Sequence, residues 1–290
     1  MKSQDFPVSI VLATLNGATH LGDQIRSLQA QDHQNWQVIL SDDGSHDATL
    51  EIAQNLLEAR RLRCLTGPQT GLALNFWNAL KHVPKGHFAA FCDQDDVWCA
   101  DKLRRALTHF TEHHGAAVYS SGRYITDAEL CTKCLQPRRA VDRFAPLLFR
   151  NPLAGHTCVL NPRAVQILKQ FPPSSTVPFH DWWTALVLKG VGATFIHDPK
   201  PSLYYRQHAS NVIGARGGRF DKLMNGTYFK WLRANHAALL EIQNHLSPEA
   251  RSAVRICHLT QAGLSLGNKN QQADHVRQHQ QQARRRSVID

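Results

Sequence analysis

Three carboxylates crowd one short stretch, His87-Phe-Ala-Ala-Phe-Cys-Asp-Gln-Asp-Asp-Val-Trp98: they are Asp93, Asp95 and Asp96. Carboxylates this close repel one another unless a cation neutralises them. The run is therefore either a divalent-metal site presenting a phosphate-bearing substrate or a solvated acidic turn capping a helix from about Ala100. A second acidic turn, Asp42-Asp43-Gly44-Ser45, is of a kind common at helix starts. On a shared sheet edge it would instead recognise a polar ring or a ribose. In His180-Asp181-Trp182-Trp183, Asp181 is either a helix cap or a carboxylate desolvated beside two indoles, with its proton affinity raised toward that of a general base. Tyr205-Arg206-Gln207-His208 joins a fixed cation to an imidazole in an apolar region. Arg206 there pairs with a surface carboxylate or serves the site, and His208 is a phosphate partner or a metal ligand.

Elements that hold such residues together are legible around them. Val8 to Ala13 reads as a buried strand, turning at Thr14–Gly17 into a helix marked by Leu21, Ile25 and Leu28. Trp36 to Ser41 is a second strand, and Ser45 is placed to cap the helix carrying Leu50, Ala53, Leu56 and Leu57. A short strand at Arg63 to Leu65, a helix from Gly71 to His82 and the strand Phe88 to Cys92 follow. Strand-first alternation implies a parallel, Rossmann-like α/β sheet, whose strand-to-helix turns share one edge. The turns at Thr14–Gly17, Asp42–Ser45 and Asp93–Asp96 should meet in one crevice. Later, strands are expected at Ala116 to Ser120, Thr157 to Leu160, Ala193 to His197 and Leu203 to His208. Helices are expected at Pro162 to Gln170, from Arg219 to Leu246 and from Pro248 to about Leu266, and Trp182 to Leu188 is an apolar segment that Gly190 and Gly192 terminate. The division is a catalytic domain over 1–215 and a basic helical region over 216–290.

A chain of 290 residues buries a full core, and 42% hydrophobic residues is ordinary for a globular protein. No window approaches the roughly 18 uninterrupted apolar residues of a membrane span. The polar start, Met1 to Pro7, lacks the apolar core of a signal peptide, so the expected location is the cytoplasm. Seven scattered cysteines, an odd number, suit reduced thiols. Cys131 and Cys134 have no second pair with which to complete a zinc site. The net charge of +10 implies polyanionic partners. Nucleic acid is disfavoured because the aromatic residues are not interleaved with the basic ones. The late basic residues Arg216, Arg219, Lys222, Arg277 and Arg284 to Arg286 suit either an anionic membrane surface or ordinary solvation. Neither Gly-x-Gly-x-x-Gly nor Gly-x-x-x-x-Gly-Lys occurs, which argues against a dehydrogenase or P-loop nucleotidase and leaves a carboxylate-held metal to meet a diphosphate.

Taken in order, Thr14 and Asn16 after the first strand, Asp42-Asp43-Gly44-Ser45, Asp93-Gln94-Asp95-Asp96-Val97-Trp98, His180-Asp181-Trp182 and Tyr205-Arg206-Gln207-His208 resemble the family-two glycosyltransferases. The likeness spans about residues 7 to 215, and its wording is similar to the bacterial rhamnosyltransferase-like subgroup. The resemblance implies an inverting A-type fold with a mostly parallel sheet and a C-terminal helical appendage. It implies a nucleoside-diphosphate sugar (UDP or dTDP), Mg²⁺ or Mn²⁺, and a saccharide or lipid-linked saccharide acceptor. By position, Thr14, Asn16, Asp42 or Asp43, Asn75 and Asp93 would bind the donor. Asp95 would hold the metal, and His208 and Arg206 would stabilise the departing diphosphate, His208 also as a metal ligand. Asp181 would be the catalytic base, although Glu-Asp is commoner in the family than the His180-Asp181 found here. A metal-dependent nucleotidyltransferase is the alternative, but Ala13-Thr-Leu-Asn-Gly17 carries no basic residue.

Overall fold

The computed structural model describes residues 6–137, 140–208 and 226–258. Its centre is one nine-stranded sheet in the order β3-β2-β1-β4-β8-β6-β9-β5, with β7 paired to β6. The strands are β1 (Val8–Thr14), β2 (Trp36–Asp42), β3 (Leu62–Thr66), β4 (Phe88–Cys92), β5 (Val97–Trp98), β6 (Ala117–Thr126), β7 (Thr132–Gln136), β8 (Cys158–Leu160) and β9 (Thr194–Arg206). The first four run parallel, as does the long β6–β9 pair, so most of the paired length is parallel; β5, β7 and β8 pair antiparallel.

Helices are α1 (Ala18–Gln29), α2 (Thr49–Leu56), α3 (Leu72–Leu80), α4 (Lys102–His109), α5 (Pro162–Gln170), α6 (His180–Gly190), α7 (Thr227–Glu241) and α8, described over 248–258. Every residue of β1 and β4 is buried, because helices cover both sheet faces and the strands need no polar side. Successive side chains still part company. Ile10 and Leu12 join the core under α1, α2 and α4, whereas Val11 and Ala13 join the core under α3, α5 and α6.

Several expectations are corrected here. The cap at Ser45 is not made, because α2 starts only at Thr49, whose amide is taken by Asp47. Asp96 does not start a helix either. The two-residue β5 pairs with β9 first, and α4 begins at Lys102 behind Asp101. The two late strands are one, β9, which absorbs Pro199 and Pro201 by bulging against β6 at Gly122. A Cβ on Gly122 would lie 2.5 Å from the Pro199 carbonyl oxygen, so glycine allows the bulge. Cys131 and Cys134 flank and enter the exposed β7, which sequence reading missed. Helix α7 begins at Thr227; the start expected at Arg219 and the tail beyond 258 lie outside the described residues. Ala238 and Leu239 of α7, with Leu246, Ala250 and Val254, share the core of α3, α5 and α6. No helix among the described residues is long and apolar enough to cross a membrane.

Candidate active site

At the carboxyl ends of β1, β2 and β4 the three turns meet, as strand polarity requires. The Asp43 amide donates to the Thr14 carbonyl at 2.9 Å, and Thr14 Oγ1 donates to Asp42 Oδ1 at 2.7 Å. Gln94 bonds both backbone groups of Leu15, its Oε1 accepting at 2.9 Å and its Nε2 donating at 3.1 Å, which ties the β4 turn to the β1 turn. Gly17 makes room for it: a Cβ there would sit 2.4 Å from Gln94 Oε1. Asn16, at φ 48°, occupies the left-handed region that asparagine tolerates, and its Oδ1 accepts the His46 amide.

These turns form one wall of an open cavity of about 890 Å³. Thr14, Asn16, Asp43 and Asn75 line it on the β1–β2 side; Asp93, Asp95, His208 and Asp181 line it elsewhere. Two predicted residues do not. Asp42 is buried, and its carboxylate is used up by Thr14, Ser45 and the Gly44 and Ser45 amides, so it braces the turn. Arg206 is also buried. Its guanidinium donates to Asp23 Oδ2 (2.9 Å) and to the carbonyls of Ala128 (2.6 Å) and Asp95 (3.0 Å). It clamps β9 to the acidic turn instead of facing the cavity. Asn75 Nδ2 holds the Thr14 carbonyl at 3.3 Å, while its Oδ1 is buried with no hydrogen-bond partner among the described residues, an acceptor left over at the cavity wall.

The acidic cluster is strained electrostatically. Burial, then the charges of Asp95 and Asp93, push Asp96 well above the usual carboxylate range, and its side chain is wholly enclosed. Burial, then repulsion from Asp93, raises Asp95, while His208 opposes the rise. Asp95 Oδ2 and His208 Nε2 lie 2.9 Å apart. The Asp95 carboxylate oxygen on the cavity wall is a donor that Mg²⁺ or Mn²⁺ accepts, the neighbouring imidazole nitrogen adds a donor suited to a transition-metal ion more than to Mg²⁺, and a cation there would relieve the repulsion. These residues fit a metal. Asp93 Oδ2 is instead 2.9 Å from His156 Nδ1, which is also 3.1 Å from Asp96 Oδ2.

Asp181 stands in the first turn of α6. Its Oδ2 accepts the Gly155 amide at 3.0 Å and its Oδ1 the Trp182 amide at 2.7 Å. The second bond occupies one of the helix's orphan N–H groups from inside the first turn, but Asp181 is not the cap: that position is Phe179, whose side chain makes no capping bond. The two indoles do not flank the carboxylate. Their N–H groups donate to the Leu147 and Phe171 carbonyls inside the core, because successive helix residues point about 100° apart.

Sequence reading missed Gly155, His156 and Arg123, all of which line the cavity. The signal was weak: Gly155-His156-Thr157 is a short turn before the three-residue β8, and only the antiparallel pairing of β8 with β4 brings it beside Asp93.

With this geometry in hand, the comparisons are specific. The family described as Glycosyl transferase family 2 matches residues 9–164. A Shigella flexneri protein described as dTDP-rhamnosyl transferase RfbG is 27% identical over 222 residues, 70% of this chain and 74% of that one. The Escherichia coli protein described as UDP-Glc:alpha-D-GlcNAc-diphosphoundecaprenol beta-1,3-glucosyltransferase WfaP is 27% identical over 207 residues, 71% of this chain and 79% of that one. Among solved structures, S. aureus TarS 1-349 in complex with UDP aligns with TM-score 0.54 at 18% identity, covering 86% of this chain and 68% of that chain. Mannosyltransferase PcManGT from Pyrobaculum calidifontis, in complex with GDP-Man and Mn²⁺, aligns with TM-score 0.55 at 15% identity, covering 92% and 83%. At such identities the two structures establish a shared fold.

Proposed function

The chain belongs to glycosyl transferase family 2 and has the A-type fold, and from that premise we propose that it moves one sugar, with inversion, from a UDP- or dTDP-sugar to a hydroxyl of a saccharide or lipid-linked saccharide in bacterial surface polysaccharide synthesis. Rhamnose, galactose or a related hexose is the sugar we favour, on the wording of the motifs and the relative described as a dTDP-rhamnosyl transferase. One observation carries the reading: a single cavity is lined both by Asp181 and by the group Asp93, Asp95 and His208.

Displacement at the anomeric carbon builds positive charge on the sugar and negative charge on the leaving diphosphate. Mg²⁺ or Mn²⁺, held by Asp95 with His208, supplies charge to the diphosphate when bound. Asp93, Asn75 and the Thr14–Asn16 and Asp43 turns hold the nucleoside. Asp181, oriented by the Gly155 amide, takes the proton of the acceptor hydroxyl on the face of the sugar opposite the diphosphate, which gives inversion. Residues 1–215 carry this chemistry. We assign the basic region 216–290 to an anionic membrane surface carrying a lipid-linked acceptor, with the enzyme on the cytoplasmic side.

The test is Asp181→Asn. It keeps nucleotide binding and loses about 10²–10⁴-fold in transfer, the usual contribution of a general base. Wild-type turnover by this variant removes Asp181 from the role.

A further inference from the structure

The cavity wall contains a hydrogen-bond chain whose proton inventory has one solution. Arg123 NH1 lies 2.9 Å from His156 Nε2, and His156 Nδ1 lies 2.9 Å from Asp93 Oδ2. A guanidinium has only donors and does not lose its proton in a protein. His156 Nε2 must therefore accept, and the ring proton must sit on Nδ1. We infer that Arg123, His156 and Asp93 form a fixed relay, Arg123→His156→Asp93, in which a neutral Nδ1–H imidazole is a positioning residue for Asp93. This rests on Asp93 binding the donor, as proposed above.

The surroundings fit a device for holding one orientation. His156 is 3% exposed. The Tyr205 ring packs against it at 4.9 Å, and Arg123 lies over the same ring at 4.3 Å. From the other side, the wholly buried Lys102 donates to the His156 carbonyl at 2.6 Å. Gln136 Oε1 accepts Arg123 Nε at 2.8 Å and fixes the head of the chain. Asp93 Oδ2 is thereby occupied, and its other oxygen has no protein partner among the described residues, so the carboxylate offers one defined acceptor to a ligand. The relay also tells against a cation among Asp93, Asp96 and His156, whose ligand-type atoms lie within 4.8 Å of one another. An imidazole that accepts at Nε2 and carries its proton at Nδ1 has no free lone pair for a metal.

Two readouts test this on the full chain. The first is long-range ¹H–¹⁵N correlation on ¹⁵N-histidine-labelled protein, with the His156 signals identified by their loss in His156→Asn. The relay predicts a neutral ring with a protonated Nδ1 and an unprotonated Nε2, unchanged by Mg²⁺. A proton on Nε2, an imidazolium, or an Nδ1 that loses its proton when Mg²⁺ is added overturns it. The second is calorimetric binding of UDP and of dTDP, each with Mg²⁺. Asparagine places an N–H near the position of Nδ1, so His156→Asn should bind like the wild type. Glutamine reaches only the Nε2 position, so His156→Gln and His156→Ala should each bind about tenfold more weakly, the scale of one hydrogen bond to a charged group. Asparagine behaving like alanine contradicts the relay. Failure of the wild type to bind either nucleotide sinks the donor reading instead, and the tautomer then decides the relay alone.

Discussion

Replacing Gly155 by alanine puts a methyl group where there is no room. Its Cβ would lie 2.1 Å from His180 Nε2 and 2.7 Å from His180 Cε1, against at least 3.4 Å for ordinary contact. Something must move by about 1.3 Å. The imidazole resists, being stacked on Phe76 at a centroid distance of 3.6 Å and edge-on to Phe91 at 4.9 Å. A shift of the Gly155 turn instead carries with it the amide that holds Asp181 Oδ2 at 3.0 Å. Overpacking of this kind costs about 1–3 kcal/mol, and displacing a catalytic group by about 1 Å costs on the order of 10²-fold in rate. Gly155→Ala should therefore melt several degrees lower and lose about 10²-fold in kcat, with nucleotide binding weakened by less than turnover, since His156 shares the shifted turn. Initial rates and thermal unfolding measure both. Adding His180→Ala makes space for the methyl group, so the double variant should lose less activity than the product of the two single losses. Full additivity, or wild-type kcat in Gly155→Ala, refutes the claim that the Gly155 amide positions the base.

Arg206→Met tests whether that arginine is a clamp or a ligand. Asp23 is half exposed, so the loss is mainly of the bonds to the Ala128 and Asp95 carbonyls and should cost about 1–3 kcal/mol of stability, seen in denaturant unfolding; a change confined to nucleotide affinity would restore its role at the diphosphate. Lys102 gives a pH signature. Burial lowers it from 10.5 to about 8, so between those values the unfolded chain holds a proton that the folded chain has released. Unfolding free energy should thus rise by about 3 kcal/mol from pH 8 to 10.5, relative to Lys102→Met; parallel stability–pH curves for the two proteins would contradict this.

The first half of the fold is legible because β1, β2 and β4 are short apolar runs closed by turn residues, and parallel strands fix which edge those turns share. Asp93, Asp95, Asp43 and Asn16 could be placed on one crevice from that polarity alone. Asp181 and His208 came from motif wording, since nothing local says that α6 and the end of β9 fold back onto the same cavity. Arg206 illustrates the limit: a cation beside an imidazole reads as a diphosphate contact, and nothing local shows that the guanidinium also reaches Asp23 and the Ala128 and Asp95 carbonyls. Arg123 and His156 were invisible for the opposite reason. Each sits in an ordinary strand or turn, and only long-range pairing of β6 and β8 with β4 and β9 makes them neighbours of Asp93.

The central proposal for this protein is that the cavity is a metal–nucleotide site with its own base. Thermal unfolding of the full chain with UDP, dTDP, GDP and their sugars, each with Mn²⁺, addresses that directly, because a ligand at 100 times its Kd stabilises the native state by about 2.7 kcal/mol. One base should raise the melting temperature clearly in the wild type and equally in Asp181→Asn, and the rise should vanish in Asp95→Ala. A melting temperature that no nucleotide moves, or an Asp95→Ala variant that responds like the wild type, would contradict it.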